Sequence, residues 1–180
     1  MLRRESGGVP ITPDTKNWTW VLERPCPECG FDAAPLTRAD IPVLIRRNAA
    51  AWPAVLERSG VGERPDDSTW SPLEYAAHVR DVLRLYRERL ELMVTQDDPL
   101  YPNWDQDATA VAERYNEQDP FVVSAELAVA AELLATDFES LSDEQWSRPG
   151  RRSDGVRFTV DTFARYFIHD PIHHLADVRG

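Results

Sequence analysis

The chain has 180 residues and a formal net charge of −11, from 31 acidic and 20 basic side chains. This length suits one domain, and the acidic excess argues against a partner bound through its phosphates, so we expect no nucleic-acid binding. No apolar stretch approaches the roughly 18 residues that cross a bilayer, and no apolar segment follows the charged residues 1–6, so we expect a cytoplasmic protein with no signal peptide and no membrane partner.

Residues 1–36 are rich in proline and glycine, a composition that predicts an extended N-terminal arm separate from the helical part of the chain. Residues 17–24 of this arm alternate in polarity and place Trp18, Trp20 and Leu22 on one face. Alternation of this kind is typical of a strand, so we expect a short strand or hairpin there.

The arm also contains both cysteines of the chain, Cys26 and Cys29. Their Cys-Pro-Glu-Cys-Gly spacing is that of half a zinc knuckle, in which two thiolates point at one ion, or of a redox pair. A tetrahedral structural zinc site needs two further ligands, and the sequence has no second cysteine pair. The open alternatives are a second metal site, including one shared between two chains, a disulfide or dithiol with a redox role, and a plain turn.

From residue 37 onward, apolar side chains recur with helical spacing in four long segments. The first segment opens at Thr37, whose spacing to Asp40 resembles a capping box. Pro53 lies near its end and lacks the N–H that bonds the preceding turn. We therefore expect a kink or an early break at Pro53.

The second segment has the clearest start. Ser71 can cap a helix, Pro72 suits the first helical position, and Glu74 completes the reciprocal cap at the third. The apolar side of the segment continues to about Thr95, so the sequence predicts a long helix from Ser71 to that point.

The later part of the chain contains two more long helical segments. We expect a short helix over residues 108–116, a long helix over residues 120–141, a connecting loop over residues 146–157 and a last long helix from about Thr159. Four long amphipathic helices joined by loops predict an all-α four-helix bundle, which we place at residues 37–180.

All the histidines of the chain lie on the second and fourth long helices. His169 and His173 are four residues apart, so their side chains leave one helix face and can share a cation. His78 lies on the apolar side of the second helix and can meet the pair across the bundle. Three imidazoles leave a fourth position on zinc for water or substrate, as in catalytic sites, and nickel or iron(II) accepts the same ligands.

Each of these histidines also has a structural alternative, because a buried imidazole is often a hydrogen-bonded core residue. His174 is turned about 100° around the helix from its neighbour and is expected at the surface or beside the ligands. Ligating imidazoles usually donate their second N–H to a carboxylate or carbonyl. The acids placed to accept it are Asp81, Asp170 and Asp177.

Two stretches resemble the DinB-like superfamily of helical-bundle metalloproteins: WSPLEYAAHVRD over residues 70–81 and HDPIHHLAD over residues 169–177. In that family, a W-S-x-x-E-x-x-x-H-x-x-D stretch on the second helix and an H-x-x-x-H on the fourth supply three histidines to a divalent metal, usually zinc or nickel. Carried over by position, the resemblance implies His78, His169 and His173 as ligands.

Members of this family with an established activity are metal-dependent thiol S-transferases and the mycothiol-dependent maleylpyruvate isomerase. The resemblance therefore implies a metal-dependent enzyme that uses a small-molecule thiol, such as mycothiol, and an electrophilic substrate. A coordinated thiol loses its proton and becomes a nucleophile at neutral pH. Asp81 and Glu74 are the nearest acids by helical spacing, but Glu74 is expected in the helix cap, so no general base is assigned.

Two other interpretations remain open. One is a non-catalytic metal-binding or stress-related interaction protein with the same bundle. The other is a metal-free bundle whose histidines are core and surface residues, and whose thermal stability chelation would leave unchanged. An exposed apolar face on a helix would suit a homodimer in either case.

Overall fold

Helices dominate the computed structural model, which describes residue 11 and residues 17–178. The α-helices are α1 (Asp40–Leu56), α2 (Pro72–Thr95), α3 (Gln106–Ala112), α4 (Pro120–Glu139), α5 (Asp143–Trp146) and α6 (Val160–Asp177). Short 3₁₀ helices lie at Trp18–Leu22 and Tyr115–Glu117. The four long helices, α1, α2, α4 and α6, form a four-helix bundle, so the expected fold class is confirmed.

The order of the long helices around the bundle differs from their order in the chain. Both α1 and α2 pack against α4 and against α6, so the order is α1, α4, α2, α6 and the consecutive helices α1 and α2 lie diagonally. Large side chains from all four helices fill the interior. Those that are almost fully buried include Trp52, Leu90, Met93, Leu127, Leu134, Phe138, Phe163 and Phe167.

The predicted start of α2 is confirmed. The Ser71 hydroxyl accepts the Glu74 N–H at 3.2 Å, and the Glu74 carboxylate accepts the Ser71 N–H at 2.8 Å, which is a complete capping box. Both residues are buried. This cap fixes the end of α2 from which His78 projects into the bundle.

The start and end of α1 differ from the prediction. The helix begins at Asp40 with Ala39 as its N-cap, and the Thr37 hydroxyl donates to the Asp40 carboxylate at 2.6 Å instead of accepting from the helix. Pro53 does not end the helix, which continues to Leu56. Pro53 lies in the last turn of α1. Its missing N–H therefore removes a single backbone hydrogen bond, close to the end of the helix.

The predicted strand over residues 17–24 is wrong, since Trp18–Leu22 forms a 3₁₀ helix. Asn17 accounts for the difference, because its side-chain oxygen accepts the N–H of Thr19 at 3.1 Å, and such local bonds favour a turn over a strand. The arm is also not extended away from the domain in its described part. Val21 and Cys26 are buried, and Arg165 of α6 donates to a carbonyl of the arm at 2.7 Å. Residues 1–10 and 12–16 of the predicted arm lie outside the described residues.

A small sheet replaces part of the predicted loop over residues 146–157. Strand β1 (Leu100–Tyr101) pairs in parallel with β2 (Pro149–Arg152), and β2 pairs antiparallel with β3 (Arg157–Thr159). Gly150 permits the sheet to lie on α2, because a Cβ at this position would approach the Met93 side chain to 2.7 Å. The run of turn-forming residues hid the strands from the sequence prediction.

Several large apolar side chains are exposed in the part of the chain that the structure describes. On α4 they are Phe121, Val122, Val129 and Leu133, and a homodimer through this helix stays a prediction. Among the described helices, none is both long and apolar enough to cross a membrane.

Replacing Ser71 by alanine removes the acceptor for the Glu74 N–H at the start of α2. We expect the free energy of unfolding to fall by about 1 kcal/mol, because loss of an N-cap hydroxyl typically costs about 0.5–2 kcal/mol. Urea denaturation measures the change. The control is Ser142→Ala, which removes the matching cap of the exposed four-residue helix α5 and should cost less. Equal losses in the two variants would contradict the prediction.

Candidate metal centres

Two groups of metal-ligating side chains lie along α6. Among the described residues, each group brings one possible ligand atom from every member within 4.8 Å of the others. The histidine–aspartate site consists of His78, Asp170 and His174, and the cysteine–histidine site consists of Cys26, Cys29, His169 and His173.

Residues 169–174 of α6, fewer than two turns, supply side chains to both sites. His169 and His173 form one i, i+4 pair, and Asp170 and His174 form a second pair displaced by one residue, or about 100° around the helix. The helix is continuous through Pro171, so both spacings are kept. The carbonyl of Pro171 accepts the buried side-chain N–H of Asn48 in α1 at 2.7 Å, which ties this turn to the bundle.

The structure divides the predicted three-histidine set between the two sites. His78 lies against His174, with ring centroids 4.9 Å apart, whereas His169 and His173 lie against each other at 5.1 Å. Asp170 and His174, which the sequence suggested as neighbours of the ligands, occupy ligand positions in the histidine–aspartate site. The signal that could have found them is their own i, i+4 spacing, because a carboxylate and an imidazole suit a divalent metal as well as two imidazoles do.

His78 is the most enclosed member of the histidine–aspartate site. It is fully buried, and its ring stacks on that of Trp104 with centroids 5.3 Å apart and planes 9° apart. Neither ring nitrogen has a hydrogen-bond partner, and Nε2 lies 3.4 Å from the Asp170 carboxylate. Burial lowers the pKa of His78 and outweighs the opposing effect of Asp170, so the ring is neutral at pH 7. A neutral, unpartnered, buried imidazole is suited to bind a metal.

His174 is oriented by a carboxylate on its other side. Its Nδ1 lies 3.0 Å from Asp177 Oδ2, and since a carboxylate only accepts, Nδ1 carries the proton. Its Nε2 lies on the side of Asp170, 3.7 Å from Oδ2. Contacts of this carboxylate–histidine kind commonly support metal ligands, and the supporting role of Asp177 stays a prediction.

Asp170 completes this donor set. Burial acts to raise its pKa, but the imidazoles of His174 and His78 lower it to about 2, so the carboxylate is ionised at neutral pH. Its Oδ1 is buried without a hydrogen-bond partner. Two imidazoles and an ionised carboxylate that meet in this way fit a divalent cation with coordination positions to spare.

The cysteine–histidine site starts from a tight turn in the N-terminal segment. The Cys26 N–H donates to the Phe31 carbonyl at 2.8 Å, and the Gly30 N–H donates to the Cys26 carbonyl at 2.9 Å. Gly30 has φ +74°, a backbone conformation that glycine adopts without strain. The turn points both cysteines at α6 as free thiols, so the disulfide alternative does not describe this structure.

The imidazoles of the cysteine–histidine site are also buried. His173 Nδ1 lies 3.7 Å from Cys26 Sγ, and His169 Nε2 is buried without a hydrogen-bond partner. Burial, with a further contribution from His173, lowers the pKa of His169 to about 4. Burial above all raises the pKa of Cys29 to about 11, which opposes the thiolate that a redox role needs.

Asp81 and Glu74, the acids nearest to His78 by helical spacing, are both engaged elsewhere. Asp81 pairs with Arg80 at 2.9 Å and accepts the Tyr115 hydroxyl at 2.6 Å. Glu74 accepts from Arg64 Nε at 2.9 Å in addition to its role in the α2 cap. The structure therefore places neither acid as a ligand, and Asp81 does not take the supporting position that the sequence suggested.

An open groove lies beside Trp104, whose ring stacks on that of His78. It has a volume of about 300 Å³, and its walls include Arg80, Arg84, Glu88 and Glu113 together with Trp104. Trp104 therefore contacts both His78 and the groove.

Comparison with known proteins gives a family and a fold. The sequence model of the DinB superfamily matches residues 44–178. The structure is similar to that of YfiT from Bacillus subtilis, described as a probable metal-dependent hydrolase with an unusual four-helix bundle topology. The TM-score is 0.70 over 78% of this chain and 85% of that chain, at 18% sequence identity, a level at which the likeness shows the fold alone. No match was found among curated proteins.

The surroundings of Glu74 predict a pH dependence of stability. Burial acts to raise the pKa of Glu74, but bonds from Arg64 and Ser71 outweigh it and lower the pKa. Its stabilising effect is therefore present above the ordinary glutamate pKa of about 4.3 and is lost as the pH falls through the lower folded value. The difference in free energy of unfolding between the wild type and Glu74→Gln should be constant near neutral pH and shrink in acid.

Urea denaturation over a series of pH values measures this difference. The exposed Glu144→Gln variant controls for the loss of one surface carboxylate. A wild-type advantage over Glu74→Gln that persists unchanged into acid would show that the Glu74 pKa is not lowered by folding.

Proposed function

Because the chain belongs to the DinB superfamily, we propose that it is a metal-dependent enzyme whose divalent cation is held by His78, Asp170 and His174. The observation that carries the proposal is the pair of unpartnered ring nitrogens on fully buried His78, one of them 3.4 Å from an unpartnered oxygen of Asp170. Buried polar atoms without partners are rare in native proteins, and a shared cation would satisfy these.

The donor set is that of a catalytic metal. Two imidazoles and one carboxylate bind zinc in hydrolytic enzymes and iron(II) in oxygenases, and three protein ligands leave at least one position open. When bound there, the cation would supply a Lewis acid that lowers the pKa of a water molecule or thiol. Asp177 holds the tautomer of His174, and Trp70 and Trp104 shield His78 from water.

The proposed reaction is attack of an activated nucleophile, water or a small-molecule thiol, on a small electrophilic substrate. A cation activates the nucleophile without Asp81 or Glu74 as a general base. This agrees with the ion pairs that both acids form. The likeness to a probable metal-dependent hydrolase favours water. The resemblance to thiol S-transferases and to the mycothiol-dependent isomerase favours a thiol such as mycothiol.

The groove beside Trp104 is the proposed approach for the substrate. It is lined by Trp104, the half-buried residue whose ring covers His78. Its wall carries both signs of charge, because Arg80 and Arg84 line it together with the acids Asp81, Glu88 and Glu113. A small polar substrate suits such a wall.

The first experiment compares metal content and turnover in the wild type, His78→Ala and Asp170→Ala, purified without a histidine tag. We expect each variant to lose one metal equivalent per chain and all turnover. Turnover is assayed in two arms, hydrolysis of activated esters without thiol and consumption of mycothiol with a small electrophile. The control, Asp137→Asn, breaks a surface ion pair with Arg87 and should change neither metal content nor turnover.

Each result separates the alternatives. Full metal content in both ligand variants would refute the site. Metal that depends on His78 but gives no turnover in either arm would support the non-catalytic metal-binding protein instead. Turnover in one arm alone identifies the nucleophile as water or thiol.

Replacing Asp177 by alanine tests the support given to His174. We expect the affinity for the metal equivalent that depends on His78 to fall by about 10–100-fold, the usual cost of losing a carboxylate behind a ligating imidazole. Competition with a chromogenic chelator measures it. Unchanged affinity would show that the contact between Asp177 and His174 does not orient the ring.

A further inference from the structure

We infer that Cys26, Cys29, His169 and His173 form a second metal site, a closed tetrahedral zinc site that fastens the N-terminal segment to α6. The histidine–aspartate site does not use these residues, so the inference is independent of the proposed activity. The two further ligands that the Cys-Pro-Glu-Cys turn lacks in sequence come from a helix about 140 residues later in the chain.

The distances fit a tetrahedral zinc ion. Bonds of about 2.3 Å to sulfur and about 2.0–2.1 Å to nitrogen place the sulfur and nitrogen ligands about 3.6 Å apart. Cys26 Sγ and His173 Nδ1 are 3.7 Å apart, and all four ligand atoms lie within 4.8 Å of one another. No large rearrangement is therefore needed for the four side chains to close on one ion.

Polar atoms around the site support a ligand rather than a packed core. His169 is 4% exposed, and its Nε2 has no hydrogen-bond partner. His173 directs Nδ1 at Cys26 and has Nε2 3.4 Å from Glu28, the acid inside the Cys-Pro-Glu-Cys turn. Glu28 is thus placed to accept from the second nitrogen of a ligand, as carboxylates commonly do behind metal-bound imidazoles.

Aromatic rings enclose the site. The Trp18 ring lies 5.3 Å from that of His169 and 5.1 Å from that of His173, and Phe31 covers His169 from another side at 5.3 Å. Four protein ligands in such a shell leave no position for water, which is the pattern of structural zinc. Two thiolates with two imidazoles favour zinc over magnesium or calcium.

Charge balance permits this ion beside the catalytic one. Two thiolates neutralise a divalent zinc, so the closed site carries no net charge. The adjoining rings of His173 and His174, with centroids 5.8 Å apart, would then separate a neutral centre from one with a single net positive charge. Repulsion between two such centres is small compared with that between two bare divalent ions.

The zinc would also position the ligands of the other site. It would clamp His169 and His173, and Asp170 and His174 are the next residues on the same turn. Binding of a structural metal contributes directly to folding free energy, so this turn and the N-terminal segment would be ordered together. The closed site is thus a positioning device for the open one.

Cobalt(II) titration of the metal-stripped full-length protein tests the inference. We expect a thiolate-to-cobalt charge-transfer absorption that saturates at one equivalent per chain, and its complete loss in the Cys26→Ser, Cys29→Ser double variant. His78→Ala, the matched control, should keep the absorption because its site contains no sulfur. Zinc added to the wild type should displace the cobalt and protect both thiols from alkylation.

Measurements on the wild-type protein are enough to refute the inference, so the test does not require the double variant to fold. Absence of thiolate absorption at saturating cobalt(II), or alkylation of both cysteines at the same rate with and without zinc, would refute the closed site. If absorption is absent while metal still depends on His78, the proposed function survives. If absorption is present while His78→Ala loses no metal, the inference survives and the proposed function fails.

Discussion

The continuity of α6 through residues 169–174 is the constraint on which both candidate metal sites depend. An i, i+4 pair shares a helix face only while the helix is unbroken, and here two such pairs are interleaved across a proline. Pro171 removes one backbone bond, yet its carbonyl accepts the Asn48 amide at 2.7 Å, and Asn48 in turn accepts the Trp52 indole N–H at 3.1 Å. Packing against α1 thus holds a turn that local propensity alone would weaken.

The two interleaved pairs consist of neighbouring residues on α6, yet they contribute to two sites with different sets of ligands. Asp170 and His174 face α2 and meet one buried imidazole, which leaves a metal there accessible to further ligands. His169 and His173 face the N-terminal segment and meet two thiols under Trp18 and Phe31. One helical turn can therefore serve an open centre on one side and a closed centre on the other, because the faces differ by about 100°.

The acids around α2 are used for structure, which narrows the chemistry of the open site. Glu74 closes the helix cap and pairs with Arg64, while Asp81 joins Arg80 and Tyr115. Ionised groups buried in this way are held by their partners and are not free to exchange protons with a substrate. The proposed function therefore assigns activation of the nucleophile to a metal, and the candidate metal ligands define it rather than a general base.

The sequence by itself determined the helical bundle and the start of α2 at Ser71. It also determined that the candidate metal-ligating residues lie at His78 and on the part of α6 that begins at His169. These features depend on helical periodicity, local capping and residue type, which are readable along the chain. The tertiary structure alone decided that Asp170 and His174 are the partners of His78, that the cysteines meet His169 and His173, and that Trp18–Leu22 is helical. The rotation of α6 within the packed bundle decides which of its faces meets α2 and which meets the arm. A contact between residues as distant in the chain as 26 and 173 leaves no local pattern in the sequence.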